Sequence, residues 1–199
     1  MMKFAIASAA ALLVAAPAFA NDFDGFRVEA NGGWDRVGLK ADGEKAHKDG
    51  FVFGAELGWD YQSGGLVVGP YAGVDASTAK YCDGYSQGGI SYRACVKARR
   101  NFEVGARLGG VVAKSTLVYA KLAYANGRAQ ASVRYDDGFT SYHLKDSANR
   151  GGIRAGVGVE YLVGHNAYVK AEYRYTHYKS LGDVHLNRNQ IVGGVGIRF

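Results

Sequence analysis

The chain has 199 residues, and its 24 Lys and Arg outnumber its 18 Asp and Glu to give a formal net charge of +6. Glycine is abundant at 29 residues, proline is rare at 2, and no Pro- or Ser-rich linker divides the chain into domains. Beyond the N-terminal segment no stretch approaches 18 uninterrupted apolar residues, which excludes a helical membrane protein and leaves strands as the way to cross a bilayer.

The first 20 residues are predicted to form a secretory signal peptide. Lys3 supplies a short basic region, residues 4–16 are apolar, and Ala18 and Ala20 place small side chains where a signal peptidase cleaves. The apolar run is shorter than the roughly 20 residues that a spanning helix needs, which disfavours an uncleaved anchor. We therefore predict a signal peptide at 1–20 and a single mature domain at 21–199.

Eight segments of the mature chain alternate between apolar and polar or small residues. Successive side chains of a strand point to opposite faces, so each segment has one apolar face. The segment 51–62 is a clear example, with Phe53 and Trp59 on one face and Glu56 and Asp60 on the other. The predicted strands are 25–35, 51–62, 66–76, 100–112, 116–128, 151–163, 167–175 and 190–199.

Short and long connections alternate between these segments. The short gaps are 63–65, 113–115 and 164–166, and the long gaps are 36–50, 77–99, 129–150 and 179–188. Outer-membrane barrels have short periplasmic turns and long external loops, so both termini are predicted to lie in the periplasm. The fold class is predicted as all-β, an eight-stranded antiparallel up-and-down transmembrane β-barrel. A soluble lipocalin-type barrel has the same strand count, but its inner face is mainly apolar.

Charged residues fall on the face opposite the apolar one and are predicted to form a network in the lumen. The seven positive members are Arg27, Arg107, Lys121, Arg154, Lys170, Arg174 and Arg198, and the eight negative members are Glu29, Asp35, Glu56, Asp60, Asp75, Glu103, Glu160 and Glu172. An eight-stranded barrel is only wide enough to be filled by its own side chains. We therefore expect a closed lumen, and an ion or solute path is the alternative.

The run GVGVEYLVGHNAYVKAEYRYTHYK at 156–179 and the closing GVGIRF resemble a known family. They are similar to the small eight-stranded outer-membrane β-barrels of Gram-negative bacteria, the opacity-type and Omp25/Omp31-like porin-family proteins. The resemblance implies that Phe199 belongs to the signal read by the barrel assembly machinery, although Phe199 also suits an interfacial aromatic girdle. The histidines and tyrosines of the predicted loops would also allow weak haem contact. The chain shows no axial-ligand motif, and we predict no cofactor.

Cys82 and Cys95 both lie in the long gap 77–99. An even number of cysteines in one external segment of an exported protein predicts a disulfide. A metal site at two cysteines would need histidines from other gaps, and no metal site is predicted. A bridged loop is not part of the general pattern of the family that the chain resembles.

The same gap is predicted to form a basic surface loop, since Asp83 is outnumbered by Lys80, Arg93, Lys97, Arg99 and Arg100. A basic rim near the outer leaflet can pair with lipopolysaccharide phosphates, and the tyrosines between these residues can contact sugar or a host surface. A solvated loop with counterions is the alternative. Nucleic acid is not an expected partner, because a secreted barrel rarely meets it.

No catalytic residue is predicted, because the five histidines are scattered and no Ser/His/acid set is close in sequence. His177 and Ser180 are the only nearby pair that would suit a lipid-A-modifying enzyme at the membrane rim. The favoured function is therefore an envelope structural component that displays surface loops. A small-solute channel and the rim enzyme are the alternatives.

Overall fold

The computed structural model describes residues 22–41, 44–87, 90–136, 141–179 and 185–199, and the predicted signal peptide at 1–20 lies outside them. Within these ranges the chain forms nine β-strands. They are β1 (Gly25–Ala41), β2 (Glu44–Ser63), β3 (Leu66–Ser77), β4 (Lys80–Gln87), β5 (Ile90–Ala113), β6 (Thr116–Asp136), β7 (Ser141–Leu162), β8 (Ala167–Tyr178) and β9 (His185–Arg198). None of the residues in these ranges belongs to a helix long and apolar enough to span a membrane.

The strands close into an antiparallel barrel of eight positions. Neighbours in sequence pair throughout, except that β1 pairs with β9 and β3 pairs with β5. Strand β4 continues β3 after a break at Thr78 and Ala79, and both pair with β5, so β3 and β4 occupy one position of the barrel. The predicted eight-stranded antiparallel barrel is confirmed.

The inner and outer faces of the barrel alternate along each strand with period two. In β8 every second residue from Tyr168 to Tyr178 is buried. The outer face carries large apolar side chains such as Phe51, Trp59 and Tyr61, each more than half exposed. A continuous apolar outer band of this kind is typical of a barrel surrounded by lipid, since soluble monomers rarely expose so large an apolar surface.

Three short turns lie at one end of the barrel, which we call the turn end. They occupy residues 64–65, 114–115 and 163–166. Gly64 has a φ of +58°, which favours glycine because other residues rarely adopt this backbone conformation. Phe199 pairs with Phe26 through two backbone hydrogen bonds of 2.8 and 3.1 Å at this end, so the last residue of the chain helps to close the seam.

The opposite end, which we call the hairpin end, differs from the sequence-based prediction. Most of the predicted loops 36–50, 77–99 and 129–150 continue as paired strand. The strands were predicted too short because the outward residues beyond the lipid are polar, so the alternation of hydrophobicity disappears while the backbone pairing continues. The predicted basic loop is therefore wrong in its local structure, since its five basic residues lie on β4 and β5.

The longest part of the hairpin end is a four-stranded sheet that we call the extension. It consists of β4, residues 90–98 of β5, residues 129–136 of β6 and residues 141–150 of β7. A register shift between Ala98 and Asn101 marks its base. Within the described chain, β4 pairs only with β5, and residues 141–150 of β7 pair only with β6, so the extension has two open edges.

Candidate functional site

The centre of the barrel interior is built around Arg27 and Glu56. Arg27 donates hydrogen bonds to Glu29 at 2.9 Å and to Glu56 at 2.8 Å. Lys121 donates to the second oxygen of Glu56 at 2.5 Å, and Lys170 donates to Glu29. Each carboxylate thus serves more than one cation, which links strands on opposite sides of the barrel.

Glu172 joins the rest of this central cluster. It accepts hydrogen bonds from Arg174 at 2.5 Å, from Lys170 at 3.2 Å and from the hydroxyl of Tyr119 at 2.8 Å. Tyr119 also lies beneath the guanidinium of Arg107, which is 5.2 Å from the ring centroid. These contacts combine charge-assisted hydrogen bonds with cation–π contacts in a space largely shielded from water.

Asp60 is the principal acceptor near the turn end. It accepts from Arg107 Nε at 2.7 Å and from Arg198 Nη1 at 2.7 Å, and it lies 3.2 Å from Arg27 Nε. Arg107 and Arg198 also donate to Glu160 at 2.8 and 2.6 Å. An apolar cluster of Phe23, Val67, Val111, Leu117 and Tyr119 packs inside the barrel next to this group.

Asp75 connects two arginines near the hairpin end. It accepts from Arg154 at 2.8 Å and from Arg188 at 3.2 Å. Arg188 donates a further 2.7 Å hydrogen bond to Asp35, and Arg154 donates a 2.9 Å hydrogen bond to Glu103. Arg188 was not among the predicted interior residues, because the sequence pattern assigned it to the gap 179–188.

All fifteen predicted interior charges are buried, and none is more than 6% exposed. Arg188, at 4% exposed, increases the cations from seven to eight, so eight buried cations face eight buried carboxylates among the described residues. Removing a charge from water is costly unless it is paired. The balance means that the interior carries no net formal charge at neutral pH.

The predicted disulfide between Cys82 and Cys95 is confirmed. The two residues are direct partners in the β4–β5 ladder, so the bridge ties neighbouring strands of the extension. It crosses only a short sequence separation of 13 residues. Its effect is therefore confined to this hairpin and does not reach the barrel below.

Three arginines surround a groove of about 510 Å³ on the outer surface at the base of the extension. Arg99 donates a 2.8 Å hydrogen bond to Gln130, Arg128 donates a 2.7 Å bond to Ser147, and Arg100 lies 5.6 Å from the ring centroid of Phe102. We call Arg99, Arg100 and Arg128 the arginine collar. Its members lie just beyond the apolar outer band.

A second groove, of about 320 Å³, lies further along the same outer surface of the extension. Its cationic lining residues are Lys80, Arg93, Lys97, Arg99, Arg134 and Lys145, joined by His143. The pKa of His143 is held below its ordinary value by desolvation and by the positive charges of Lys145 and Arg134. We call the cationic residues of this groove other than Arg99, together with His143, the upper basic face.

Four tyrosines form a row across the extension on its other side. Tyr85 pairs with Tyr92, Tyr92 with Tyr135, and Tyr135 with Tyr142, so all four side chains lie on one face. The rings of Tyr85 and Tyr92 are 6.3 Å apart. The row alternates in sequence with Arg93, Arg134 and His143, which places aromatic and basic residues on opposite faces.

The residues considered for catalysis or metal binding are not brought together. His177 lies on the outer face of β8 with its Nδ1 atom 2.7 Å from Asn187 Oδ1, and Ser180 lies outside the described residues. Within those residues, no group of three or more His, Cys, Asp or Glu side chains is placed to hold a metal ion. Phe199 is exposed at the turn end, with its ring 6.3 Å from that of Phe26.

The family model described as "Outer membrane protein beta-barrel domain" matches residues 6–199. The 31 kDa outer-membrane immunogenic proteins of Brucella melitensis biotype 1 and Brucella suis biovar 1 are each 27% identical to the chain over 128 residues. The match covers 64% of this chain and 53% of either relative. The chain thus spans about half the length of the curated relatives that it matches.

Solved structures with this architecture are also outer-membrane barrels. Neisserial surface protein A is 18% identical with a TM-score of 0.54, covering 87% of this chain and 97% of that one. The protease OmpT of Escherichia coli is 9% identical with a TM-score of 0.54, covering 88% and 97%. Ail of Yersinia pestis, in complex with the heparin analogue sucrose octasulfate, is 17% identical with a TM-score of 0.50, covering 88% and 99%.

Identities this low show a shared fold, while the family model covers nearly the whole chain. The chain therefore belongs to the outer membrane protein β-barrel domain family and is a protein of the Gram-negative outer membrane.

Proposed function

We propose that this protein is a structural component of the outer membrane that has a closed interior and presents its hairpin end to the surroundings of the cell. The buried ion-pair network is the observation that carries the proposal. In this orientation the turn end and both termini face the periplasm, as short turns do in barrels of this class. Residues 1–20 are removed as a signal peptide, and Phe199 takes part in recognition by the assembly machinery.

The closed interior is supported by what fills the barrel. Eight cations and eight carboxylates are hydrogen-bonded across the lumen, and the apolar cluster around Phe23 and Leu117 lies beyond them toward the turn end. An eight-stranded barrel leaves little more space than its own side chains need. A solute would have to break several buried charge pairs to pass, each at a cost of several kcal/mol, on the order of the penalty for leaving a buried ion unpaired.

Planar bilayers test this closed interior directly. We expect refolded residues 21–199 to give no stepwise conductance above the bare membrane, because every inward charge is held by partners of opposite sign. A general porin inserted under the same conditions is the positive control. Reproducible unit conductance steps from the refolded chain would instead support the small-solute channel.

The arginine collar is placed to contact lipopolysaccharide. On β6, Arg128 lies four residues beyond the lipid-facing Tyr124, which is about 13 Å along the strand and about 10 Å in height at a typical strand tilt. Phosphates of the outer leaflet lie at this level, and arginine forms bidentate hydrogen bonds with phosphate. The word "immunogenic" in the names of the Brucella relatives and the sulfated ligand bound to Ail also fit a hairpin end that makes surface contacts.

Substitution of the collar tests the contact with lipopolysaccharide. We expect the triple variant Arg99→Gln, Arg100→Gln, Arg128→Gln to bind lipopolysaccharide about tenfold more weakly, since three exposed ion pairs together contribute on the order of 1–2 kcal/mol. Lipopolysaccharide retained per barrel after mild detergent extraction is the measurement. The control is Arg36→Gln, because Arg36 is equally exposed but is paired with Asp49 at 2.8 Å. Equal retention by the triple variant and the wild type would contradict this role.

A further inference from the structure

The upper basic face is ordered by the strand register of the extension. Residues paired across antiparallel strands point to the same side, and this side is shared by alternate residues along each strand. Three successive rows face outward, and their members are Lys80, Lys97, Gln130 and Ser147, then Cys82, Cys95, Ser132 and Lys145, then Gly84, Arg93, Arg134 and His143. The three rows hold five permanent cations and one histidine, and they contain no carboxylate.

These cations are not neutralised within the part of the chain that the structure describes. The ion pairs found among the described residues do not include Lys80, Arg93, Lys97, Arg134 or Lys145, and the next row of the same face adds a single carboxylate, Asp136. Neighbouring strands lie about 4.8 Å apart, and alternate residues of one strand about 7 Å apart, so the charges repel one another at short range. These side chains are largely exposed to water, so they can pair with a charged ligand without first breaking an ion pair within the chain.

The far row of this face lies well above the level of the lipid headgroups, while its nearest row, at Gln130, begins two residues beyond Arg128. Arg134 lies ten residues beyond Tyr124 on β6, which is about 33 Å along the strand and about 25 Å in height at a tilt near 40°. That is well above the arginine collar. The face therefore meets molecules in the medium outside the membrane, an argument that rests on the proposed orientation of the barrel.

The shape of the face distinguishes between classes of polyanion. The groove is lined by residues of four strands, β4 to β7, and most of them are long flexible cations, which suits a chain with repeated negative charges. The four-tyrosine row lies on the opposite side of the sheet, so among the described residues the three basic rows offer no aromatic ring to stack on a nucleobase. We propose that the upper basic face binds a linear acidic polysaccharide that carries sulfate or carboxylate groups.

The test uses the refolded chain in phosphatidylcholine nanodiscs and three probes of similar length. The probes are a heparin-derived dodecasaccharide, a neutral dextran oligosaccharide and a thymidine dodecanucleotide. We expect the sulfated probe to bind, with an affinity that falls as salt rises, and to bind at least about tenfold more tightly than the oligonucleotide. Binding of the oligonucleotide with equal affinity, or equal binding of the neutral probe, would overturn the proposal.

Two variants locate the site. The variant Arg93→Gln, Arg134→Gln, Lys145→Gln should lose about tenfold or more in affinity for the sulfated probe, which corresponds to about 1.4 kcal/mol. The control variant Arg36→Gln, Arg100→Gln, Arg128→Gln removes the same charge at residues outside this groove, and it should bind the probe within about threefold of the wild type. Heat-modifiable gel mobility checks that each variant is folded, and Lys145→Gln alone serves if the triple variant is not. Equal losses in the two triple variants would show attraction by net charge alone and would sink the proposal.

His143 provides an independent readout of the same site. Desolvation and the charges of Lys145 on β7 and Arg134 on β6, which flank its imidazole, disfavour its protonated form, and Arg93 on β5 lies one strand further along the same row. A bound polyanion should raise the pKa of His143 toward or above its ordinary value, so binding should strengthen as pH falls through that pKa. The NMR titration of His143 with and without the sulfated probe measures this shift, and an unchanged pKa with the probe bound would place the probe elsewhere. Binding in nanodiscs but not to intact cells would refute the proposed orientation and leave the site itself supported.

Discussion

Replacing Asp60 with alanine is expected to lower the free energy of unfolding by about 3–5 kcal/mol. The carboxylate lies within 3.2 Å of three arginines, Arg27, Arg107 and Arg198, and it is fully buried. Its removal takes one acceptor from each of these guanidinium groups and leaves one positive charge in excess in a space from which water is largely excluded. Reversible urea unfolding in lipid vesicles, followed by tryptophan fluorescence, measures the change.

The control for this substitution is Asp49→Ala. Asp49 forms an ion pair with Arg36 at the hairpin end, and the hydrogen bond between them lowers the pKa of Asp49 and raises that of Arg36. Both side chains are about half exposed, so water replaces the lost partner and we expect no measurable change in stability. A loss below about 1 kcal/mol for Asp60→Ala would mean that water enters the lumen freely, and it would weaken the proposal of a closed interior.

Replacing Gly33 with valine is expected to prevent closure of the barrel at the β1–β9 seam. A Cβ atom at Gly33 would lie 2.0 Å from the backbone oxygen of Ile191 and 2.7 Å from the Cα of Val192. Because both are backbone atoms, the two strands would have to separate for any side chain to fit. We expect the variant to lose heat-modifiable gel mobility and to fail to refold into vesicles.

Gly193→Val is the matched control, because it makes the same change on the other strand of the same seam. Gly193 pairs with Gly32, faces outward, and its nearest contact for an added Cβ is the backbone oxygen of Lys170 at 3.8 Å. A valine there adds apolar surface that lipid covers, so the barrel should fold at least as well as the wild type. Normal folding of Gly33→Val would mean that the seam is wider than the structure shows.

The interior could be predicted from the sequence wherever a polar face alternates with lipid-facing residues. Lys170, Glu172 and Arg174 are separated by Ala171 and Tyr173, and period two alone assigns their faces. Arg188 lies between Asn187 and Asn189, so no apolar neighbour reveals which way it points. Its two carboxylate partners are distant in sequence, and only the closed barrel brings them within 3.2 Å.

The strands of the extension could not be predicted from the sequence for a related reason. Lipid imposes an apolar outer face only within the membrane, and beyond it Gln130, Ser132 and Arg134 occupy the outward positions of β6. A strand there has no hydrophobic alternation to detect, which is why its basic residues were assigned to a loop. The disulfide could be predicted because pairing two cysteines in an exported chain depends on redox chemistry and needs no periodicity.

The two open edges of the extension affect how the protein behaves among many copies of itself in one membrane. An unpaired strand edge offers its backbone groups to any neighbouring chain, and proteins commonly prevent this with charged side chains. The β4 edge carries Lys80 and Asp83, and the β7 edge carries Lys145 and Asp146. Each edge thus places exposed charge where a second sheet would have to dock, which disfavours lateral polymerisation and keeps the extension of each barrel separate in a crowded membrane.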